Sequence, residues 1–122
     1  MAITGVHTLL YSSEPEALRA VLRDVFGWKH VDDGQGWLIF ELPPSEMGVH
    51  PAEGPGYEAG GAGHQISLMC DDIESEVAAL RSKGVAIDGD PVDEGWGITT
   101  TMELPGGVQM MLYQPRHNTP LA

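Results

Sequence analysis

The sequence predicts an α+β fold in which two tandem βαβββ units build curved mixed sheets around a shared cavity. Three observations carry this. The stretch ELPGGVQMMLY, residues 103–113, rhymes with Glu41-Leu42-Pro43-Pro44 leading to Gly48-Val49-His50-Pro51, and each copy reads as a strand, a Pro or Gly turn and a second strand. Two stretches carry apolar residues at helical spacing and stop at a glycine. Strand-like segments of alternating pattern surround each of them.

In chain order, residues 3–12 suit a strand, with Val6, Thr8 and Leu10 on one face and His7, Leu9 and Tyr11 on the other. Ser13 followed by Glu16 is a capping-box signature with Pro15 in the first turn, and Leu18, Val21, Leu22 and Val25 form an apolar stripe before Gly27. This predicts a helix over residues 14–26. Strands at 28–31 and 37–42 follow, joined by the turn Asp32-Asp33-Gly34, then a fourth strand at 46–50. Residues 52–63 contain five glycines and read as a flexible connector.

The second unit repeats the order. Ile66, Leu68 and Cys70 alternate with Gln65, Ser67 and Met69, and Asp71-Asp72-Ile73-Glu74 opens a helix with acidic residues at its positive end. Ile73, Val77 and Leu80 form its buried stripe and Gly84 closes it. Strands at 85–87, 97–102 and 108–113 follow, with residues 91–95 as a loop between the first two. One domain over residues 1–122 results: unit one at about 1–51, the connector at about 52–63, unit two at about 64–115 and a short tail at 116–122.

Six Lys and Arg against 18 Asp and Glu give a net charge of −12, a field that repels nucleic acid and anionic membrane surfaces and favours a cationic ligand, or simply keeps an acidic surface solvated. Cys70, the single cysteine, excludes an intrachain disulfide and reads as a packed thiol. The start MAITGVHTLL lacks a basic leader region and no run approaches a membrane span; a cytoplasmic location is expected.

His7, the segment Asp24-Val25-Phe26-Gly27, the run LMCDDIESEVAALRSKGV (68–85) and the closing LPGGVQMMLYQP together resemble the vicinal oxygen chelate superfamily, the glyoxalase, bleomycin-resistance and extradiol-dioxygenase group. The resemblance spans essentially the whole chain. It implies a cavity and, in metal-dependent members, a divalent ion held by His and Glu on the cavity faces of the first and last strands of each unit, with positions open for a substrate bearing adjacent oxygens. It also implies a homodimer, with units paired within one chain or exchanged between two.

Matched residue by residue, His7 takes the first-strand position. If Ile66, Leu68 and Cys70 face the helix, Gln65 looks into the cavity; a one-residue bulge near Gly63 would present His64 instead. In the closing strand Gln109, Met111 and Tyr113 fall on the cavity side, with Met111 at the position of the family's Glu, and a thioether is a poor ligand for hard divalent ions. Superposing the Glu-Leu-Pro anchors puts Met47 or Val49 on the same face and points Glu46 and His50 away; a one-residue shift at Pro43-Pro44 would turn His50 inward.

Single residues have bland readings beside the sharp ones. His7 is a ligand contact or a histidine satisfied by a polar neighbour. Met47, Met69 and Met111 suit an adaptable apolar lining, Tyr113 suits stacking on or hydrogen bonding to a ligand, and Trp37 and Trp96 read as packing anchors. Glu41 and Glu103 read as solvated strand ends. The expectation is a protein that binds a small organic molecule at His7, Gln65, Met111 and Tyr113, without the family's usual metal or another cofactor. The alternative is a lyase, isomerase or dioxygenase that depends on a rearranged metal site or on His7 as general base.

Overall fold

The structure is a computed structural model that describes residues 5–54 and 64–121. Most of the expected connector lies outside the described residues. The fold is α+β, and the described residues form two helices and curved, unclosed sheets. Helix α1 (Pro15–Asp24) is followed by β1 (His30–Asp32) and β2 (Leu38–Phe40); then come β3 (Ser67–Met69), α2 (Ile73–Ser82), β4 (Ala86–Ile87), β5 (Val92–Asp93), β6 (Gly97–Leu104) and β7 (Val108–Pro115). Strands β1 and β2 form an antiparallel pair, and the larger sheet runs β3-β7-β6-β4 with β5 also on β6. β3 lies parallel to β7, and every other pairing is antiparallel.

Both helices obey their apolar stripes. Leu18 and Leu22 of α1 and Ile73, Val77 and Leu80 of α2 are buried together with Met102, Leu104, Val108, Met110 and Leu112 of β6 and β7, so the helices cover the same face of the larger sheet. Val21 and Val25 pack against this core. Gly27 and Gly84 take φ of +70° and +90° where the chain leaves each helix, a conformation that costs other residues a clash with their Cβ. Asp72 caps α2 by accepting from the Ser75 amide at 3.3 Å.

The start of α1 departs from the capping-box expectation. Glu14 is the N-cap and makes no side-chain cap bond. Ser12 supplies the oxygen instead, accepting from the Glu14 amide at 3.0 Å while its hydroxyl donates to the Pro105 carbonyl at 2.8 Å. The Ser13 amide donates to the Gly106 carbonyl at 3.1 Å. The cap is thus made across the fold, against the Pro105-Gly106 turn between β6 and β7, and this clasp fixes α1 on the sheet.

Three strand assignments change. Residues 5–12 and 46–50 are extended but belong to neither sheet; their composition suits strands, yet a strand exists only where a neighbour completes its ladder. The expected loop at 91–95 contains β5, which folds back on β6 through Val92–Thr99 and Asp93–Ile98 pairs. Two residues are too short to carry a readable period. The β1–β2 hairpin forms as expected, with Asp32 accepting from the Gly34 amide at 2.8 Å and Trp37 exchanging bonds with Asp33 and Gly34.

Candidate functional site

The alternation of β7 decides which side chains meet the helices and which do not. Val108, Met110 and Leu112 are buried against them, whereas Met111 and Tyr113 emerge on the opposite face. Register carries the same face across the sheet: Ser67 and Thr101 lie opposite Met111, and Met69 and Thr99 lie opposite Tyr113. Leu68 on β3 and its flanking residues Ile66 and Cys70 pack against the core. Short side chains such as Gly97 make room here, since a Cβ on Gly97 would sit 3.0 Å from the Tyr113 ring.

A cleft of about 1340 Å³ is bounded by β3 and β7, both helices, the β1–β2 hairpin and the extended segments 6–12 and 42–50, and it takes in helix-side residues such as Leu18, Met110 and Leu112 as well as Met111 and Tyr113. It brings together His7, Gln65, Met111 and Tyr113 as lining residues. His7 reaches it from an exposed extended segment rather than from a paired strand. Gln65 donates to the Ser67 hydroxyl at 3.3 Å. His64 is exposed and outside the lining.

In the segment 45–50 the faces are reversed from expectation. Glu46, Gly48 and His50 line the cleft, while Met47 and Val49 are 87% and 90% exposed. The segment follows two prolines and joins no ladder, so the Glu-Leu-Pro anchor does not transmit its parity. His50 is held by its own loop, Nδ1 lying 2.8 Å from the Pro51 carbonyl. Glu41 and Glu103 are exposed, Glu41 3.9 Å from Lys29 and Glu103 accepting from Gln109.

Both tryptophans read as anchors also face the cleft. Arg19 on α1 places its guanidinium 4.7 Å above the Trp37 ring, joining helix to hairpin by a cation–π contact. Trp96 meets Tyr113 edge to face at 5.4 Å. Tyr113 in turn lies 3.0 Å from Nε2 of His117, a residue that sequence reasoning passed over. The tail beyond β7 is tied down here: the Arg116 and His117 amides donate to the Trp96 carbonyl, Arg116 pairs with Asp93 at 2.6 Å, and the Thr119 hydroxyl donates to Glu46. Burial first, and then the Glu46 charge, push the Tyr113 phenol up from its ordinary value, so it remains a protonated hydroxyl at neutral pH.

The residues do not fit the metal centre that the resemblance implies. Met111, which the resemblance sets at the position of the family's Glu, offers a thioether, and among the described residues no three His, Cys, Asp or Glu side chains gather around a common point. Cys70 is an inert partner to the core: burial, followed by the charges of Glu76, Asp71 and Asp72, pushes its thiol up to about 11. Among the described residues no helix is long and apolar enough to cross a membrane.

Comparison with known proteins matches residues 5–112 to the family model of the Glyoxalase/Bleomycin resistance protein/Dioxygenase superfamily. No curated protein matches the sequence. Among solved structures, the chain is similar to TnmS3, an antibiotic binding protein from Streptomyces sp. CB03234, with 26% identity, a TM-score of 0.64, and coverage of 94% of this chain and 98% of that one. A lactoylglutathione lyase from Agrobacterium tumefaciens matches with 18% identity and a TM-score of 0.61, over 93% of this chain and 96% of that one. A glyoxalase/bleomycin resistance protein/dioxygenase from Nocardioides matches with 18% identity and a TM-score of 0.62, over 100% and 91%.

Proposed function

The chain belongs to the Glyoxalase/Bleomycin resistance protein/Dioxygenase superfamily, and from that premise we propose that it binds a small organic molecule in its cleft, to sequester or carry it, without the family's usual divalent metal. The observation that carries this reading is Met111. It lines the cleft from the face of β7 turned away from the helices, between Ser67 and Thr101, at the position where metal-dependent relatives would need a carboxylate. A polarisable thioether suits contact with a flat organic surface better than it suits a hard ion. Met69, Trp37 and Trp96 extend the same soft lining.

Likeness to an antibiotic binding protein supports this reading. The likeness to a lactoylglutathione lyase is one of fold and carries no activity to this chain. The reading includes a homodimer, in which a second copy covers the apolar residues of the unpaired segments. Val6, Tyr11, Met47 and Val49 are all more than four-fifths exposed in the single chain.

The test is elemental analysis of protein purified without chelator and then offered nickel, manganese, iron and zinc, together with a thermal-shift screen of organic molecules. A ligand that binds only the native state raises its melting temperature. Metal below stoichiometric amounts and at least one stabilising organic compound are expected. Stoichiometric metal that disappears in His7→Ala would overturn the metal-free reading, and sedimentation as a monomer at high concentration would overturn the dimer.

A further inference from the structure

We propose that the Tyr113 end of the cleft is a hydrogen-bond-accepting point that selects ligands carrying a donor, above all a protonated amine, with His117 as the residue that sets this polarity. The inference rests on the small-molecule reading of the cleft and names the class of molecule it takes.

The chemistry follows from a chain of three groups. The Asn118 carbonyl can only accept, and it lies 2.8 Å from Nδ1 of His117, so in the neutral ring Nδ1 carries the proton. Nε2 is then a lone-pair acceptor. Tyr113, 3.0 Å away, must therefore donate its hydroxyl hydrogen to Nε2. What the phenol oxygen retains is acceptor capacity alone.

The neighbouring groups have the same polarity. Glu46, half-buried and lining the cleft, takes the Thr119 hydroxyl on Oε1, and the rest of its carboxylate likewise only accepts. Trp96, edge-on to Tyr113 and exposed to the cleft, presents an aromatic ring to which a cation is attracted. Countercharges are engaged elsewhere. Arg116 is tied to Asp93 at 2.6 Å, and Arg19, the one Lys or Arg among the described lining residues, lies over Trp37. A carboxylate or ether brought to Tyr113 would meet acceptors facing acceptors, whereas an ammonium group would donate to the phenol oxygen and be attracted by the nearby Glu46 charge.

Three naphthalene derivatives that differ in one group test this by calorimetry at about pH 8, above the ordinary imidazole range: naphthylmethylamine, its methyl ether counterpart and naphthylacetate. The amine is expected to bind the wild type about tenfold or more tightly than the ether, with the acetate weakest. Tyr113→Phe and His117→Ala should each erase most of that preference. His117→Gln, whose amide oxygen again accepts from the phenol, should restore it, a rescue that a merely structural tail contact would not give. Far-UV melting curves confirm that each variant is folded. Ether or acetate binding as tight as amine binding overturns the selectivity and leaves the cleft reading standing. Binding of none of the three by the wild type overturns both.

Discussion

Gly106 is where the fold makes its closest approach, and replacing it with Ala tests how α1 is held. Its φ of +83° is left-handed, which costs an L-residue roughly 1–2 kcal/mol. A Cβ there would also collide with Ser12 Oγ and sit 2.6 Å from the Glu14 amide and 2.7 Å from the Ser13 amide. The clasp must open to admit it, which removes the Ser13–Gly106 and Ser12–Pro105 hydrogen bonds, each worth about 1 kcal/mol. Gly107 is the internal control, because its φ of +78° is nearly the same and nothing lies within 4 Å of the added carbon. Both substitutions restrict the unfolded chain equally, so that effect cancels in the comparison. Gly106→Ala should destabilise by about 3–4 kcal/mol and Gly107→Ala by about 1–2 kcal/mol, measured from urea midpoints at unchanged slope. Equal losses would mean that α1 is not seated on the turn and that the α1 wall of the cleft lies elsewhere.

Two further outcomes are expected. Asp72→Ala removes the cap on α2 and should cost about 1 kcal/mol, read from urea unfolding, whereas Asp72→Asn, whose amide oxygen can accept the same bond, should recover most of that loss; no change in Asp72→Ala would mean that the bond to the Ser75 amide is not made in solution. Cys70 should alkylate slowly at neutral pH and faster as pH approaches about 11, and because the unfolded thiol ionises from about 9 while the native one stays protonated, stability should fall across that window and fall less in Cys70→Ala; fast neutral-pH labelling of the native protein would contradict its burial.

Much of this fold was legible because the second half of the chain has partners for everything it offers. Val108, Met110 and Leu112 alternate with Gln109, Met111 and Tyr113, and β7 lies between β3 and β6, so the pattern and the packing agree. The helices were legible for the same reason: their stripes and terminal glycines are local signals that the packing honours. Residues 5–12 and 46–50 carry equal strand character but lack a ladder, and without one an alternating pattern does not fix which side chain faces which way. That is why Met47 was expected in the cleft and Glu46 is found there.

The cleft itself divides along one strand. Met111 and Tyr113 are two residues apart, on one face and roughly 7 Å from one another along the strand, a spacing that one small aromatic molecule is long enough to bridge. Met111 could be found by asking where a family carboxylate ought to be. The polarity of Tyr113 could not, because it is set by His117, four residues on and beyond Pro115, in a tail whose sequence has no period and no motif. Only the three-dimensional return of that tail, through the Trp96 carbonyl and Glu46, brings the imidazole to the phenol. On the proposed reading, a substitution at His117 is expected to change ligand choice although no strand or helix contains it, and one at Met111 to change ligand shape. The two effects are separable on the same ligand, since an amine-to-ether exchange reads the first and a change of ring size reads the second.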